Sequence, residues 1–112
     1  MNRLNSILIE GRIASEITMR SSKPKGKPVA TFELGYARKY SSKEAEFTLH
    51  VEAWEALAES LAKQATTGRC VRVVGRLEQA KWTSEDGKEC QRVKIVAEHV
   101  ELRPEYTDEI DE

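Results

Sequence analysis

The amino-acid sequence predicts an all-β domain, a small barrel of five strands with one α-helix between the third and fourth. Three observations predict this class. Apolar and polar residues alternate with the period of a β-strand over most of the chain, and helical spacing occurs in one segment. Glycines 11, 35 and 75 also interrupt predicted strands where a small barrel needs sharp bends. The 112 residues are sufficient for one compact core.

The first three strands are predicted from short apolar or alternating runs. Residues 6–13 form the first run, residues 29–40 the second and residues 46–54 the third. Alternation divides the third run into two faces. The face expected to point into the barrel contains Phe47, Leu49, Val51 and Ala53, and the outward face contains Thr48, His50, Glu52 and Trp54.

The helix is predicted over residues 54–67, where leucine and alanine recur every three or four positions. Gly68 follows at the position where a left-handed residue commonly ends a helix, so we expect it to be the C-cap. Residues 69–77 and 90–102 return to the strand period and are predicted as the fourth and fifth strands. Between them, residues 84–88 (SEDGK) predict a hairpin turn centred on Asp86 and Gly87.

The order of three strands, one helix and two strands is that of the five-stranded Greek-key barrel known as the OB-fold. An SH3-like barrel and an α+β sandwich contain similar numbers of elements and stay open at this point. We predict the OB-fold because the helix lies between the third and fourth strands. The fold by itself does not fix the function.

Charge is distributed unevenly along the chain. The last eight residues hold five of the 19 acidic residues and no basic one; the other 14 acids face 18 bases, so residues 1–104 carry a net charge of +4. We expect residues 1–104 to form the domain and residues 105–112 to be a short, mobile acidic tail. A basic domain with an acidic tail is a known pattern among nucleic-acid-binding proteins.

Several classes of function lack support in the sequence. It contains no nucleophile motif, phosphate-binding glycine-rich loop or Cys/His cluster, so we predict a protein without enzymatic activity, cofactor or metal. Cys70 and Cys90 lie on separate predicted strands and are expected to be free thiols. No apolar run approaches the length of a transmembrane helix and no signal peptide follows Met1, so we expect a soluble, cytoplasmic protein.

Three aromatic residues lie near basic residues on faces expected to point outward. The rings are those of Tyr40, Trp54 and Trp82, and the cations are Arg38, Lys39, Arg72, Arg76 and Lys81. Exposed rings stack on unpaired bases, which contributes about 1–3 kcal/mol per base, and cations beside them contact the phosphates. We therefore predict a surface for single-stranded nucleic acid, with binding that tolerates any sequence and is weakened by salt.

Each of the three rings could instead have a packing role, and the sequence alone does not decide between the two roles. Trp54 starts the predicted helix and could seal it against the end of the barrel. Tyr40 could be an ordinary tyrosine at a strand end, and Trp82 could pack across its own hairpin. The agreement among the three positions favours the binding surface.

Four stretches resemble the bacterial and phage single-stranded DNA-binding protein (SSB) family: NSILIEGRI, GKPVATFELGYARKY, VEAWEALAESLAKQATTGRCVRVVGRL and KWTSEDGK. The resemblance extends over residues 5–102. It implies an OB-fold, non-specific binding of single-stranded DNA in replication, repair and recombination, and assembly into homo-oligomers, usually tetramers. A protein of this kind would act at the nucleoid.

The resemblance also implies roles for individual residues. Three positions match the family's base-stacking surface: Tyr40, Trp54 and Trp82. The resemblance implies phosphate contacts for Arg72, Arg76 and Lys81, whereas Arg38 and Lys39 are predicted from their position next to Tyr40.

The chain departs from the family pattern in three places. The family usually has an aromatic residue six positions before the Trp54 position, where this chain has Thr48; Phe47 lies seven before. Either the strand is shifted by one residue or one stacking ring is absent. Glu52 lies on the outward face, where an acid repels phosphate. The sequence ends in DEIDE, without the linker and proline–aromatic pair through which the family recruits replication and repair proteins.

Two other functions stay open. An OB-fold adaptor similar to primosomal replication proteins would act mainly through protein partners, as a dimer. The substitution by Thr48, the acid Glu52 and the short tail favour this reading. An RNA-binding OB-fold module is the third possibility, and competition between matched DNA and RNA oligomers distinguishes it.

Overall fold

Six strands and one helix form the computed structural model, which describes residues 3–22, 25–40 and 43–104, without the side chains of residues 38–40 and 43–46. The strands are β1 (Ile7–Ile13), β2 (Thr18–Ser21), β3 (Pro28–Tyr40), β4 (Lys43–Trp54), β5 (Cys70–Thr83) and β6 (Glu89–Leu102), and the helix is α1 (Glu55–Gln64). In the described part of the chain, no helix is long and apolar enough to cross a membrane.

Five of the strands close into a ring, in the order β1, β5, β6, β4, β3 and back to β1. β1 joins the two ends, because residues 7–12 pair with β5 while Arg12 and Ile13 pair with β3. The contact between β4 and β6 is parallel, with His50 opposite Lys94, whereas the other pairings are antiparallel. The closed ring, with its helix between the third and fourth ring strands, confirms the predicted OB-fold barrel.

β2 is an additional strand that the sequence pattern did not predict. It pairs with β3 at the edge of the sheet, and all four of its residues are exposed. Because neither face of β2 is buried, its sequence TMRS has no alternation of apolar and polar residues. β2 nevertheless contributes Arg20 to the outer surface of the barrel.

Aliphatic side chains from all five ring strands fill the barrel interior. The largest fully buried residues are Ile13, Val29, Leu34, Val51, Cys70, Val71, Val73 and Ile95. Two glycines allow the strands to approach closely: a Cβ at Gly11 would lie 2.3 Å from the carbonyl oxygen of Gly35, and one at Gly75 would lie 2.3 Å from that of Val96. The register between β5 and β6 also shifts next to Gly75, where a bend is predicted.

The helix ends earlier than predicted, and Gly68 is not its C-cap. The C-cap is Ala65, in an extended conformation, and its N–H donates to the carbonyl oxygen of Leu61. This conformation turns Ala65 into the core. Gly68 has φ +95° in the connection to β5, and its N–H donates to the carbonyl oxygen of Ile13 at 2.7 Å. The hydrogen bond from Gly68 therefore joins this connection to β1, and glycine permits the positive φ that the connection requires.

The β5–β6 hairpin has the predicted turn. The Ser84 N–H donates to the carbonyl oxygen of Lys88 at 2.8 Å, and Gly87 has φ +84°. Hydrogen bonds from the Ser84 hydroxyl and the Lys88 N–H hold the pKa of the Asp86 carboxyl below its ordinary value. Most side chains of the two strands are exposed near this turn. Its cysteine near the turn, Cys90, is a free thiol, as is the buried Cys70.

Candidate nucleic-acid interface

One face of the barrel combines side chains from β4, β5 and β6, and we call it the outer face. On β4 the residues between them, Val51 and Ala53, are buried in the core. Lys94 is opposite His50 of β4 on one side and Glu78 of β5 on the other, so the outward side chains of the three strands form adjacent rows. The outer face consists of His50, Glu52, Trp54, Arg76, Glu78, Trp82, Arg92 and Lys94.

The indole of Trp54 lies on the outer face where β4 ends and α1 begins. The residue is half-buried, and its Nε1 donates a hydrogen bond to the Glu52 carboxylate at 2.9 Å. Together with Leu57 and Val96, it lines an open pocket of about 430 Å³. Trp54 is therefore not sealed between helix and barrel, and part of its surface borders space that a ligand can enter.

The indole of Trp82 lies on the same face near the end of β5, and the residue is 48% exposed. It is opposite Cys90 and lines an open pocket of about 450 Å³. Lys81 lines the same pocket, although consecutive residues of a strand point to opposite faces. Lys81 thus borders the Trp82 pocket from the edge of the hairpin, not from the outer face itself.

The environment of Glu52 differs from the prediction, which was an acid on the outward face that repels phosphate. It points outward, but it is only 4% exposed, and Arg20 and Lys94 contact its carboxylate at 3.2 and 3.1 Å. Burial alone raises the pKa of Glu52, but hydrogen bonds from Trp54 and Lys94 and the charges of Lys94 and Arg20 hold it below its ordinary value. The carboxylate is charged, and neighbouring strands neutralise it.

Arg72 and Arg76, predicted to contact phosphates, both form ion pairs. Arg72 contacts Glu10 of β1 at 2.7 Å and Glu101 of β6 at 3.5 Å. Arg76 contacts Glu78 at 3.0 Å and another glutamate of β6 at 3.4 Å. Arg76 also lines the Trp54 pocket, whereas Arg72 lies towards β1. The structure brings Arg76, and not Arg72, to the Trp54 pocket.

Arg38, Lys39 and Tyr40 lie at the end of β3, where their backbones pair with residues 43–45 of β4. Their side chains are outside the described set, and so are residues 105–112, for which an acidic tail is predicted. The roles given to these three side chains and to the tail stay predictions.

Two basic residues of the outer face are missing from the sequence prediction, Arg92 and Lys94 of β6. Arg92 Nη1 lies 3.3 Å from His50 Nδ1, which lies 2.7 Å from a carboxylate oxygen of Glu33 on β3. The alternation in QRVKIVA contains the signal that both point outward. Their proximity to Trp54, however, depends on the pairing of β6 with β4, which alternation does not reveal.

The structure distinguishes the two explanations for Thr48. The register between β3 and β4 continues without interruption along their whole pairing, so Thr48 shares the outer side of β4 with Trp54. Phe47 lies on the opposite side, where it is 48% exposed and stacks on Tyr36 with ring centroids 5.0 Å apart. The strand is therefore not shifted, and the described outer side of β4 lacks an aromatic ring at position 48.

Comparisons with known proteins agree with this geometry. The model of the Single-strand binding protein family matches residues 4–103. The single-stranded DNA-binding protein of Aquifex aeolicus is 38% identical over 104 residues, which cover 88% of this chain and 69% of that protein. Single-stranded DNA-binding protein 3 of Streptococcus agalactiae is 29% identical over 103 residues, covering 88% of this chain and 73% of that protein.

A solved structure, the Plasmodium falciparum SSB complex with ssDNA, is similar with a TM-score of 0.80 and 23% identity. The similarity covers 91% of this chain and 95% of that chain. At this identity the likeness bears on the fold alone, and it agrees with the OB-fold barrel. Because the family match covers both the barrel and its helix, the chain belongs to the single-strand binding protein family.

Proposed function

We propose that this protein binds single-stranded DNA without sequence preference and coats and protects it in replication, repair and recombination. The observation that carries the proposal is the outer face, where Trp54 and Trp82 both border open pockets on a surface that includes Arg76 and Arg92. Family membership supports the same ligand, as do the names of the relatives, which are single-stranded DNA-binding proteins.

The two indoles and the cations have different tasks. Each indole stacks on an unpaired base, which contributes about 1–3 kcal/mol and reads no sequence because every base has a flat π-face. The cations bind phosphates and release counterions, so the affinity falls as salt is added. Arg76 exchanges its contact with Glu78 for a phosphate when DNA enters the Trp54 pocket.

The proposed site extends beyond these residues. The base-stacking residues are Tyr40, Trp54 and Trp82. The phosphate contacts are Arg38, Lys39, Arg76, Lys81 and Arg92, and Arg72 joins them only by giving up its contacts with Glu10 and Glu101. Residues 1–104 form the binding domain, with residues 105–112 as an acidic tail. The protein is a cytoplasmic, nucleoid-associated binder and not an enzyme; among the described residues no cluster suited to a metal ion occurs.

We propose further that the active form is a homo-oligomer, most simply a tetramer. Among the described residues, β1 pairs with β3 only at Arg12 and Ile13, so Ile7, Leu8 and Ile9 lie at an edge of this part of the sheet beyond their pairing with β5. Leu8 on this strand is 68% exposed, and an open groove of about 1000 Å³ separates β1 from the Tyr36–Phe47 pair. Exposed edges and apolar surfaces of this kind support association with further copies. Light scattering measures the oligomeric state directly.

Titration with oligo-dT tests the proposed function. Tryptophan fluorescence is followed at low salt and at several higher salt concentrations, with a matched duplex as the control. We expect quenching by oligo-dT, an affinity that falls steeply with salt, and little response to the duplex, whose bases already stack on one another. Absence of quenching at low salt, or an affinity indifferent to salt, would refute the proposal.

The adaptor function gains no support from the structure. Glu52, one of the features that favoured it, is neutralised by Arg20 and Lys94 and leaves the outer face usable for DNA. If light scattering showed a dimer and the dimer bound oligo-dT weakly, these results would favour the adaptor function.

A further inference from the structure

We propose that Glu52 is a positioning residue whose buried carboxylate holds the indole of Trp54 in the orientation that stacks on a base. This inference rests on the proposed function. It adds a residue that contacts neither base nor phosphate and acts through Trp54.

Donors from three strands converge on Glu52, which is the buried charged residue of the described chain. Arg20 of β2 donates to Oε2 at 3.2 Å, and Lys94 of β6 donates to both oxygens at 3.1 Å. Trp54, two residues further along β4, donates from Nε1 to Oε1 at 2.9 Å. Both oxygens are therefore engaged, and the orientation of the carboxylate is fixed.

Stability alone is a weak reason to bury this carboxylate. Moving a charged group out of water is costly, and a buried ion pair is often no more stabilising than apolar residues of similar size. An apolar residue at position 52 would, however, provide no acceptor for the indole N–H of Trp54. The distinctive contribution of Glu52 is this hydrogen bond.

The location of Trp54 explains why its ring needs a restraint. Trp54 is the N-cap residue of α1, forms no capping hydrogen bond through its side chain, and borders an open pocket. The chain turns sharply at the next residue, Glu55, whose φ is +57°. A half-buried indole at such a junction has more than one rotamer available. The bond to Glu52 selects one of them.

A ring that is fixed before DNA arrives loses less conformational freedom on binding. Ordering one flexible side chain at an interface lowers the affinity by a factor of about two to ten. Arg20 and Lys94 meanwhile neutralise the carboxylate. Glu52 can therefore restrain the indole without placing an unbalanced negative charge beside the phosphates.

The test compares E52M with the matched control E33M, because methionine is similar in length to glutamate but has no oxygen that can accept from the indole N–H. Glu33 lies on the neighbouring strand β3, carries the same charge and contacts His50. Oligo-dT affinity is measured for both variants with Trp54 present and in a W54F background, with Trp82 as the fluorescent reporter. We expect E52M to bind about two- to tenfold more weakly than E33M when Trp54 is present. In the W54F background the two should bind equally, because phenylalanine has no N–H.

Two results would overturn the positioning role. Equal affinities of E52M and E33M with Trp54 present would mean that no useful restraint is lost. An equal deficit of E52M in both backgrounds would mean that its effect does not pass through the indole. Weak binding by the unsubstituted chain itself would instead refute the proposed function.

A measurement without DNA separates the two proposals, and it decides the matter if E52M does not fold. In W82F, Trp54 is the sole tryptophan. We expect the time-resolved fluorescence anisotropy of W82F to decay only with the tumbling of the whole protein. A fast local component would contradict the restraint on Trp54, whether or not the protein binds DNA.

Discussion

Replacing Lys94 with methionine tests the ion pairs beneath the outer face. The Lys94 ammonium supplies hydrogen bonds to both oxygens of Glu52. Breaking a buried ion pair costs about 3–5 kcal/mol. Arg20 and Trp54 still contact the carboxylate, and the Lys94 side chain is itself 19% exposed. We therefore expect K94M to lower the free energy of unfolding by about 2–3 kcal/mol at neutral pH.

The pH dependence of this loss has a definite sign. Because the pKa of Glu52 is below its ordinary value of 4.5, the contribution of its ion pairs is complete above that pH and is lost as the pH falls through the folded-state pKa. Protonated Glu52 no longer needs the ammonium of Lys94. The difference between wild type and K94M should therefore shrink on acidification.

Urea unfolding followed by circular dichroism measures these differences. The control is R92M, which removes an exposed cation from the same strand and should change stability by less than about 0.5 kcal/mol. E52Q/K94M should lose less than the sum of the two single losses, because both substitutions disrupt the same network. A K94M loss below about 1 kcal/mol at neutral pH, typical of an exposed pair, would refute the reasoning. So would a loss that does not change with pH.

Three further expectations concern the barrel, the start of the helix and the DNA site. G75A should lower the free energy of unfolding by about 1–3 kcal/mol in urea, because the new Cβ meets the Val96 carbonyl oxygen at 2.3 Å; a change near zero would show that β6 can move aside. E55G should raise it by about 0.5–1 kcal/mol, because glycine accepts φ +57° without strain, and a lower thermal midpoint would contradict this. W82A should weaken oligo-dT binding by about 1–3 kcal/mol in a fluorescence titration reported by Trp54, and an unchanged affinity would return Trp82 to a packing role.

Local patterns in the sequence predicted most of the fold. The alternation in β4, the helical spacing before Gln64 and the Asp86–Gly87 turn each depend on neighbours in the chain, and the structure has all three. β2 escaped prediction because an exposed edge strand has no buried face to produce alternation. The prediction that Gly68 is the C-cap of the helix was wrong. The residue that accepts the hydrogen bond from its N–H, Ile13, is distant in sequence, so local patterns do not reveal the contact.

The site was less predictable, because its contacts depend on the register between strands. Alternation shows that Glu52 points outward, but its burial results from Arg20 on β2 and Lys94 on β6. The acids that engage Arg72 and Arg76 likewise come mainly from other strands. The sequence was sufficient to find the aromatic residues of the outer face. It did not show which basic residues form ion pairs with neighbouring carboxylates.

The central claim is that two indoles on one face of the barrel stack on unpaired bases. Two single-tryptophan variants test it most directly: W54F reports on Trp82, and W82F reports on Trp54. When each is titrated with oligo-dT at low salt, we expect quenching of the remaining indole in both variants and no comparable quenching by a matched duplex. An indole whose emission is unchanged at saturating oligo-dT would contradict the claim for that position.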